Sequence, residues 1–263
     1  MPNAASGFDD GASYERHMGR WSRAAGSAFL DWVAPPANAS WLDVGCGTGV
    51  FTKLILDTCS PVAVSAIDPS QAQIDYARRQ PFSGRADFQV ADAQKLPFPD
   101  GTFDVVASAL VISFMSARPM AFTEMRRVAR VGGTVAGYVW DSAAELAPNW
   151  PSRLGLRQIG ADVPPAVGAE HSSIDALHSL FERSGLDEIA TRSIDLTVTF
   201  LDFNDLWQAQ MARLNAVTRT IMASSGVDRA RLVEYVRTAL PASRDGSITC
   251  PARASAIKAR VPV

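Results

Sequence analysis

Three carboxylates stand in or just after apolar runs, and three glycines stand beside the first of them. Asp43 lies inside Trp41-Leu42-Asp43-Val44, Asp68 follows Val62–Ile67, and Asp92 follows Val90-Ala91. Gly45, Gly47 and Gly49 come directly after the first run, and Asp68 trails the first of them by 23 positions. A bare turn between an apolar strand and an apolar helix lets a ligand touch backbone. A carboxylate at a strand end accepts two hydroxyl hydrogen bonds in a compact geometry, the arrangement that holds a ribose. Asp43, two residues before Gly45, suits a cationic amine better than a phosphate. The glycine spacing is Gly-x-Gly-x-Gly, and Val50 occupies the place where a nicotinamide fingerprint needs its last glycine.

These side chains need a scaffold. Strands are expected near 41–44, 62–67, 86–91, 103–109 and 133–139, with helices near 50–58, 70–79 and 119–130 between them. Ser70 reads as a helix N-cap, Pro119 as a first-turn proline and Gly132-Gly133 as a helix stop. Strand–helix alternation of this kind builds a parallel sheet covered on both faces. Residues 14–33 read as a helix carrying Trp21, Phe29 and Trp32. Residues 141–171, with Pro148, Pro151, Pro164 and Pro165, read as a long irregular insertion. A helix over Ile174–Ser184 stops at Gly185, and strands follow over 187–199 and 247–260. Between those strands, 203–223 and 228–240 read as two amphipathic helices, the first with Trp207, Met211, Leu214 and Val217 on one stripe.

Further segments match a known pattern in order. Leu42–Gly49, Ala66-Ile67-Asp68-Pro69-Ser70, Val90–Phe98, Phe103-Asp104-Val105-Val106 and Glu124–Gly133 resemble the successive motifs of the class I S-adenosylmethionine-dependent methyltransferases. The resemblance covers roughly residues 10–140 and is nearest to the small-molecule branch of the ubiquinone and menaquinone enzymes. It implies an α/β fold: a Rossmann-like, seven-stranded, mostly parallel sheet with helices on both faces. The last two strands form a hairpin, the final one antiparallel, so the helices at 201–243 become a lid inserted between them. The whole of 1–263 is then one methyltransferase domain, with 14–33 as an N-terminal cap helix.

The resemblance also implies roles. Gly45, Cys46, Gly47 and Gly49 supply backbone to S-adenosylmethionine, and Asp43 lies near its methionine amine. Asp68 holds the ribose, Pro69 presses on the adenine, and Asp92 and the Ala93 backbone reach the adenine edge. Ala109 and Leu110 leave the fourth strand at the edge where ligands lie in open parallel sheets. Tyr14 and Arg20, on a segment often folded over the cofactor, are candidates to contact it, Arg20 through the methionine carboxylate. Asp104, at the opposite end of its strand, is expected to be structural. No Asn-Pro-Pro-aromatic motif follows the fourth strand, which argues against methylation of adenine in DNA. Ser113 and Phe114 stand where many quinone-branch relatives carry histidines.

The expected activity is methyl transfer to a small-molecule acceptor by in-line displacement, with a non-catalytic cofactor-binding regulator as the alternative. A nicotinamide oxidoreductase is disfavoured by Val50. Tyr138, Trp140 and Asp141 leave the fifth strand at the active edge, but no sequence feature selects a base. Trp140, Trp150, Phe203 and Trp207 suit an apolar or aromatic acceptor, and equally suit the core of a lid.

Composition sets outer limits. The chain has 263 residues, 47% of them hydrophobic, and a formal charge of −2. No dense Lys/Arg run appears, so neither nucleic acid nor an anionic membrane is an expected partner. The longest apolar stretch, Val105–Met115, has 11 residues, and a spanning helix needs about 20. Cys46, Cys59 and Cys250 are too scattered for a disulfide framework or a metal cage, and His171 and His178 are read as too separated from other ligand types to imply a metal. No metal is expected, and the default location is the cytoplasm.

Overall fold

The computed structural model describes residues 11–212 and 215–263, with side chains from Met18 onward. Seven strands form one sheet in the order β3-β2-β1-β4-β5-β7-β6. They are β1 (Ser40–Val44), β2 (Ala63–Asp68), β3 (Asp87–Val90), β4 (Phe103–Ala109), β5 (Ala129–Trp140), β6 (Asp187–Phe200) and β7 (Ile248–Arg260). The first five pair in parallel, and β7 runs antiparallel to both β5 and β6. This is the expected doubly covered sheet with a reversed last strand.

Alternation along the strands feeds two cores. On β4, Val106 joins Leu42, Val44 and Val135 beneath α4 (Arg118–Val128) and α6 (Ile174–Arg183), which contribute Phe122, Met125, Leu177 and Phe181. Val105 and Ala107 face the other way and pack with Trp41 and Tyr138 beneath α1 (Gly11–Val33) and α2 (Val50–Thr58), which contribute Phe29 and Ile55. Period-two burial on both sides is what a central parallel strand requires. Helix α3 (Gln71–Arg78) closes the β2–β3 end, with Ile74 and Ala77 against Phe88. Ser70 caps it as expected, accepting from the Gln73 N–H at 3.4 Å.

Three expectations need correction. The segment 141–171 is not wholly irregular: α5 (Trp150–Gln158) lies inside it, with Pro151 in the first turn, where no N–H is needed. The helix before β5 ends at Val128, and β5 begins at once. Gly132-Gly133 is therefore no helix stop. Gly132, at φ +70°, lies within the strand and its N–H donates to Val261 O, while the Val261 N–H donates to Gly133 O. The region 203–223 is two helices, α7 (Phe203–Met211) and α8 (Ala216–Ala223), the second capped by Asn215 and Thr218 reciprocally. The Leu214 of the expected stripe lies outside the described residues.

Helix α9 (Gly226–Ala239) completes the insertion between β6 and β7. These helices share a third core with Trp21, Leu156, Phe200 and Cys250. The hairpin of β6 and β7 runs past the end of β5, since Trp140 pairs with Ala254 while the hairpin continues to Phe200 and Ile248. The inserted helices thus stand beyond the carboxyl edge of the parallel strands. No helix among the described residues is long and apolar enough to cross a membrane.

Candidate cofactor site

The carboxyl ends of β1, β2, β3 and β4 meet at one edge. Asp43 is flanked by Ala66 of β2 and Ala107 of β4, and Asp68 by Val90 of β3. Between them runs the turn Gly45–Gly49. All three of its glycines have positive φ, at +80°, +53° and +85°. At Gly45 the lack of a side chain also matters sterically, because a Cβ would lie 2.5 Å from Val111 Cγ1. At Gly47 a Cβ would meet only Gln73 Oε1, at 3.9 Å, so this stretch of backbone is open.

Asp68 is buried and fixes the turn. Its Oδ2 accepts from the Gly47 N–H at 3.0 Å and its Oδ1 from the Ser70 N–H at 2.9 Å. One acceptor site on each oxygen is thereby used, and a carboxylate has about four. Burial raises its pKa, opposed by the Ser70 and Gly47 N–H groups. Asp43 is fully buried. Thr52 of α2 donates its hydroxyl to Asp43 Oδ2 at 2.6 Å, while Oδ1 has no partner among the described residues. Burial pushes this carboxyl up to about 7, opposed by the Thr52 hydroxyl and reinforced by the nearby Asp68 charge. The Cys46 thiol is pushed well above its ordinary range by burial, then by Asp43 and Asp68, so it is not a nucleophile.

The remaining expected residues take different positions. Pro69 is exposed, leaving its ring face open, and Ala93 is half-buried. Asp92 is exposed, and its Oδ1 accepts from the Gln94 N–H at 2.9 Å. The Ala91 N–H donates to Asp68 O at 3.2 Å, tying this segment to the end of β2. Ala109 pairs with Tyr138 in register. Leu110 then turns into left-handed backbone, φ +62°, while its N–H donates to Tyr138 O at 2.8 Å. That turn carries Val111 onto Gly45. Asp104 is structural, as expected: it accepts from the Ser40 N–H and hydroxyl at 2.6 and 2.8 Å, at the opposite end of the strands from the glycines.

Arg20 is engaged by the insertion. Its guanidinium pairs with Asp205 of α7 through two bonds, at 2.7 and 3.0 Å, and lies 5.2 Å from the Phe200 ring. The sequence could not show a partner 185 residues away. The side chain of Tyr14 lies outside the described residues. Tyr138 is buried among Phe29 and Phe51, and Asp141 is buried with its Oδ1 on the Ala144 N–H. The aromatic residues at the lid are packing groups: Phe203 stacks on Trp207, and the Trp150 indole donates to Pro251 O at 2.8 Å.

Sequence reasoning overlooked Thr52 and Val111. Thr52 was findable as the one hydroxyl on the apolar stripe of Phe51 and Ile55. Val111 was not, because its place depends on the backbone of Leu110. Thr48 Oγ1, Gln73 Oε1 and Ser108 Oγ are also buried near the turn without partners among the described residues. A row of unsatisfied acceptors and hydroxyls costs free energy unless a polar ligand completes it. A cationic amine fits Asp43 Oδ1, and a diol fits Asp68. No cluster of metal-ligating residues occurs among the described residues.

The chain is similar to known proteins. Residues 42–137 match a family described as a methyltransferase domain. A malonyl-[acyl-carrier protein] O-methyltransferase of Serratia marcescens is 29% identical over 163 residues, 61% of this chain and 60% of that protein. The corresponding Erwinia pyrifoliae protein is 32% identical over 155 residues, 58% of this chain and 55% of that protein. The matched stretch spans about three fifths of the length of these curated relatives. In three dimensions, a putative methyltransferase of Bacillus halodurans superposes with a TM-score of 0.57 at 15% identity, covering 90% of this chain and 99% of that one. A Haemonchus contortus phosphoethanolamine N-methyltransferase, in complex with phosphomonomethylethanolamine and S-adenosylhomocysteine, gives 0.58 at 15%, covering 96% and 57%. At these identities the structures establish the fold alone.

Proposed function

With residues 42–137 a methyltransferase domain set in a seven-stranded class I sheet, we propose that this protein transfers a methyl group from S-adenosylmethionine to a small-molecule acceptor. The observation that carries this reading is the pair of buried strand-end carboxylates, Asp43 and Asp68, facing one bare glycine turn. Asp68 would receive the ribose hydroxyls on its remaining lone pairs, and Asp43 Oδ1 the methionine amine. Asp92 and the Ala93 backbone would meet the adenine edge, with Pro69 against the ring and Ala109 and Leu110 along the rim.

The cofactor supplies a methyl group already activated by its sulfonium charge. The chain's part is position and exclusion of water, and orientation alone can supply much of the acceleration. Val111 packs on Gly45, so the turn after β4 fixes the glycine turn from above. Helix α1 (the cap, 14–33) and the insertion at 201–243 act as cover, joined by Arg20 and Asp205. The names of the curated relatives favour a carboxylate oxygen as the acceptor atom. Such an oxygen is ionised at neutral pH and needs no base. Free Cys46, Cys59 and Cys250 suit a reducing compartment, the cytoplasm.

Titration calorimetry with S-adenosylmethionine and S-adenosylhomocysteine tests the reading. One saturable site per chain is expected for each, followed by transfer of labelled methyl to a metabolite in a cell extract. Absence of binding to either molecule would overturn it. Binding without transfer would leave only a cofactor-binding protein.

A further inference from the structure

Arg153 lies in the first half of α5 and is only 7% exposed. Its one side-chain hydrogen bond among the described residues runs from Nη2 to Pro164 O at 2.8 Å. No carboxylate among the described residues lies within ion-pair distance of it. The charges that act on it are Glu145, which is engaged by both Nη1 and Nη2 of Arg157, and Arg157 itself. Two arginines and one glutamate leave this cluster with a single uncompensated positive charge. An arginine cannot shed its proton to escape burial. A guanidinium taken partly out of water without a counter-ion is costly. Four of its five N–H donors remain for another group. Nε and Nη1 are not sealed from water, since neither is among the buried atoms without partners.

The position of Arg153 ties it to the candidate site. The segment leaving β5 is stitched to β7 by the Asp141 N–H on Arg253 O and the Arg253 N–H on Leu146 O, both 2.9 Å. Helix α5 then packs against α9 of the insertion, where a Cβ on Gly155 would lie 3.2 Å from Leu232 Cγ and 3.3 Å from Tyr235 Cδ1. On its other side, Arg153 holds Pro164. Four residues on, Gly168 touches the turn after β4, where a Cβ would be 2.4 Å from Ser113 O. Val111 of that same turn covers Gly45. Arg153 therefore links the helix packed on the lid to the loop that reaches the turn after β4.

We propose that Arg153 is the anion-recognition residue of the acceptor site and that the acceptor carries a carboxylate, which Arg153 holds through its free N–H donors. This rests on the methyltransferase reading and narrows its substrate class. A carboxylate matches the single uncompensated charge and the planar fork of the guanidinium.

The test uses the full-length protein saturated with S-adenosylhomocysteine, and malonate as the probe. Phosphate and chloride at equal ionic strength serve as comparison anions. The side-chain Nε–H signal of Arg153, assigned by its loss in Arg153→Lys, should move saturably with malonate and not with chloride. Malonate affinity should fall about tenfold or more in Arg153→Gln, with S-adenosylhomocysteine affinity unchanged. An unmoved signal overturns the proposal, as does equal malonate affinity in Arg153→Gln. Saturation by phosphate but not malonate overturns the carboxylate assignment. The signal is read in the wild-type chain, so it decides the matter even if Arg153→Gln does not fold. Failure of the cofactor reading would register separately, as wild-type protein that binds no S-adenosylhomocysteine.

Discussion

The Gly47 N–H donates to Asp68 Oδ2 at 3.0 Å, so the carboxylate placed to hold a ribose also holds the backbone beside which the ribose would lie. Its other oxygen accepts from the Ser70 N–H, at the start of α3. One side chain thus fixes the turn after β1 to the end of β2. Asp68→Ala should lower S-adenosylhomocysteine affinity about 10- to 100-fold, the scale of hydrogen bonds to a charged group. It should also lower stability by about 1–3 kcal/mol, because two backbone N–H groups lose their acceptor. Calorimetry and urea unfolding measure the two effects. Full affinity in the variant would place the nucleoside elsewhere.

Asp43 gives a pH dependence of definite sign. Its folded pKa of about 7 lies above the ordinary 3.8, so between these values the native state binds the extra proton and the unfolded chain does not. The charge therefore destabilises the fold progressively as pH rises from about 4 to about 7, by at most about 4 kcal/mol, and the penalty is constant above that. Asp43→Asn should be more stable than wild type at about pH 8, and this advantage should vanish near pH 4. Binding should show the opposite sign. Wild-type affinity for the cationic cofactor should climb as pH rises through 7, where Asp43 ionises, and Asp43→Asn should bind more weakly with a flat profile. Thermal melts and calorimetry across that range decide both.

Gly45 and Gly47 should respond differently to the same substitution. Both require left-handed backbone, which costs a residue with a Cβ about 1–2 kcal/mol. At Gly47 nothing but Gln73 Oε1 lies nearby, so Gly47→Ala should lose only that amount. At Gly45 the new methyl would meet Val111 Cγ1, Cγ2 and Cβ at 2.5, 2.8 and 2.9 Å. Gly45→Ala should therefore lose about 1–3 kcal/mol more from overpacking. Adding Val111→Ala should recover the overpacking part and leave the backbone part. Denaturant unfolding of the three variants separates the two causes. Equal losses at Gly45 and Gly47 would mean that Val111 is not seated on the turn.

The motif region was legible because its signals are local. Trp41–Val44, Val62–Ile67 and Phe103–Ala109 are short, apolar and punctuated by glycine or aspartate, and the observed strands fall within about one residue of them. Burial on both faces leaves such runs little alternative. The prolines of 141–171 misled because Pro151 starts a helix as readily as it ends one. The break between α7 and α8 was hidden by an apolar stripe that continues across it, while the deciding cap, Asn215 with Thr218, is a weak local signal. The rest depended on contacts between distant segments. The partner of Arg20, the closure of Val111 on Gly45 and the isolation of Arg153 follow from how the lid and loops settle, which no local pattern encodes.

Arg20 and Asp205 form the charged tie between α1 and the insertion, and the consequences differ from those of a cofactor contact. The arginine side chain is 44% exposed and the aspartate 23%, so the pair contributes little to stability, about 1 kcal/mol or less, and less in high salt. The Arg20 guanidinium holds the Asp205 carboxyl below its usual range, aided by the Leu201 N–H, despite some burial. A depressed carboxyl stabilises the fold above its ordinary pKa and loses that contribution as pH falls through the folded value, so the tie should weaken only in acid. Asp205→Ala should cost more than Arg20→Ala, because Asp205 also accepts from the Leu201 N–H at 3.0 Å. A double-mutant cycle in low and high salt should give a small coupling that salt reduces. S-adenosylhomocysteine affinity should be the same in Arg20→Ala as in wild type. A large loss of affinity there would mean that Arg20 leaves Asp205 for the cofactor's carboxylate when the site is filled.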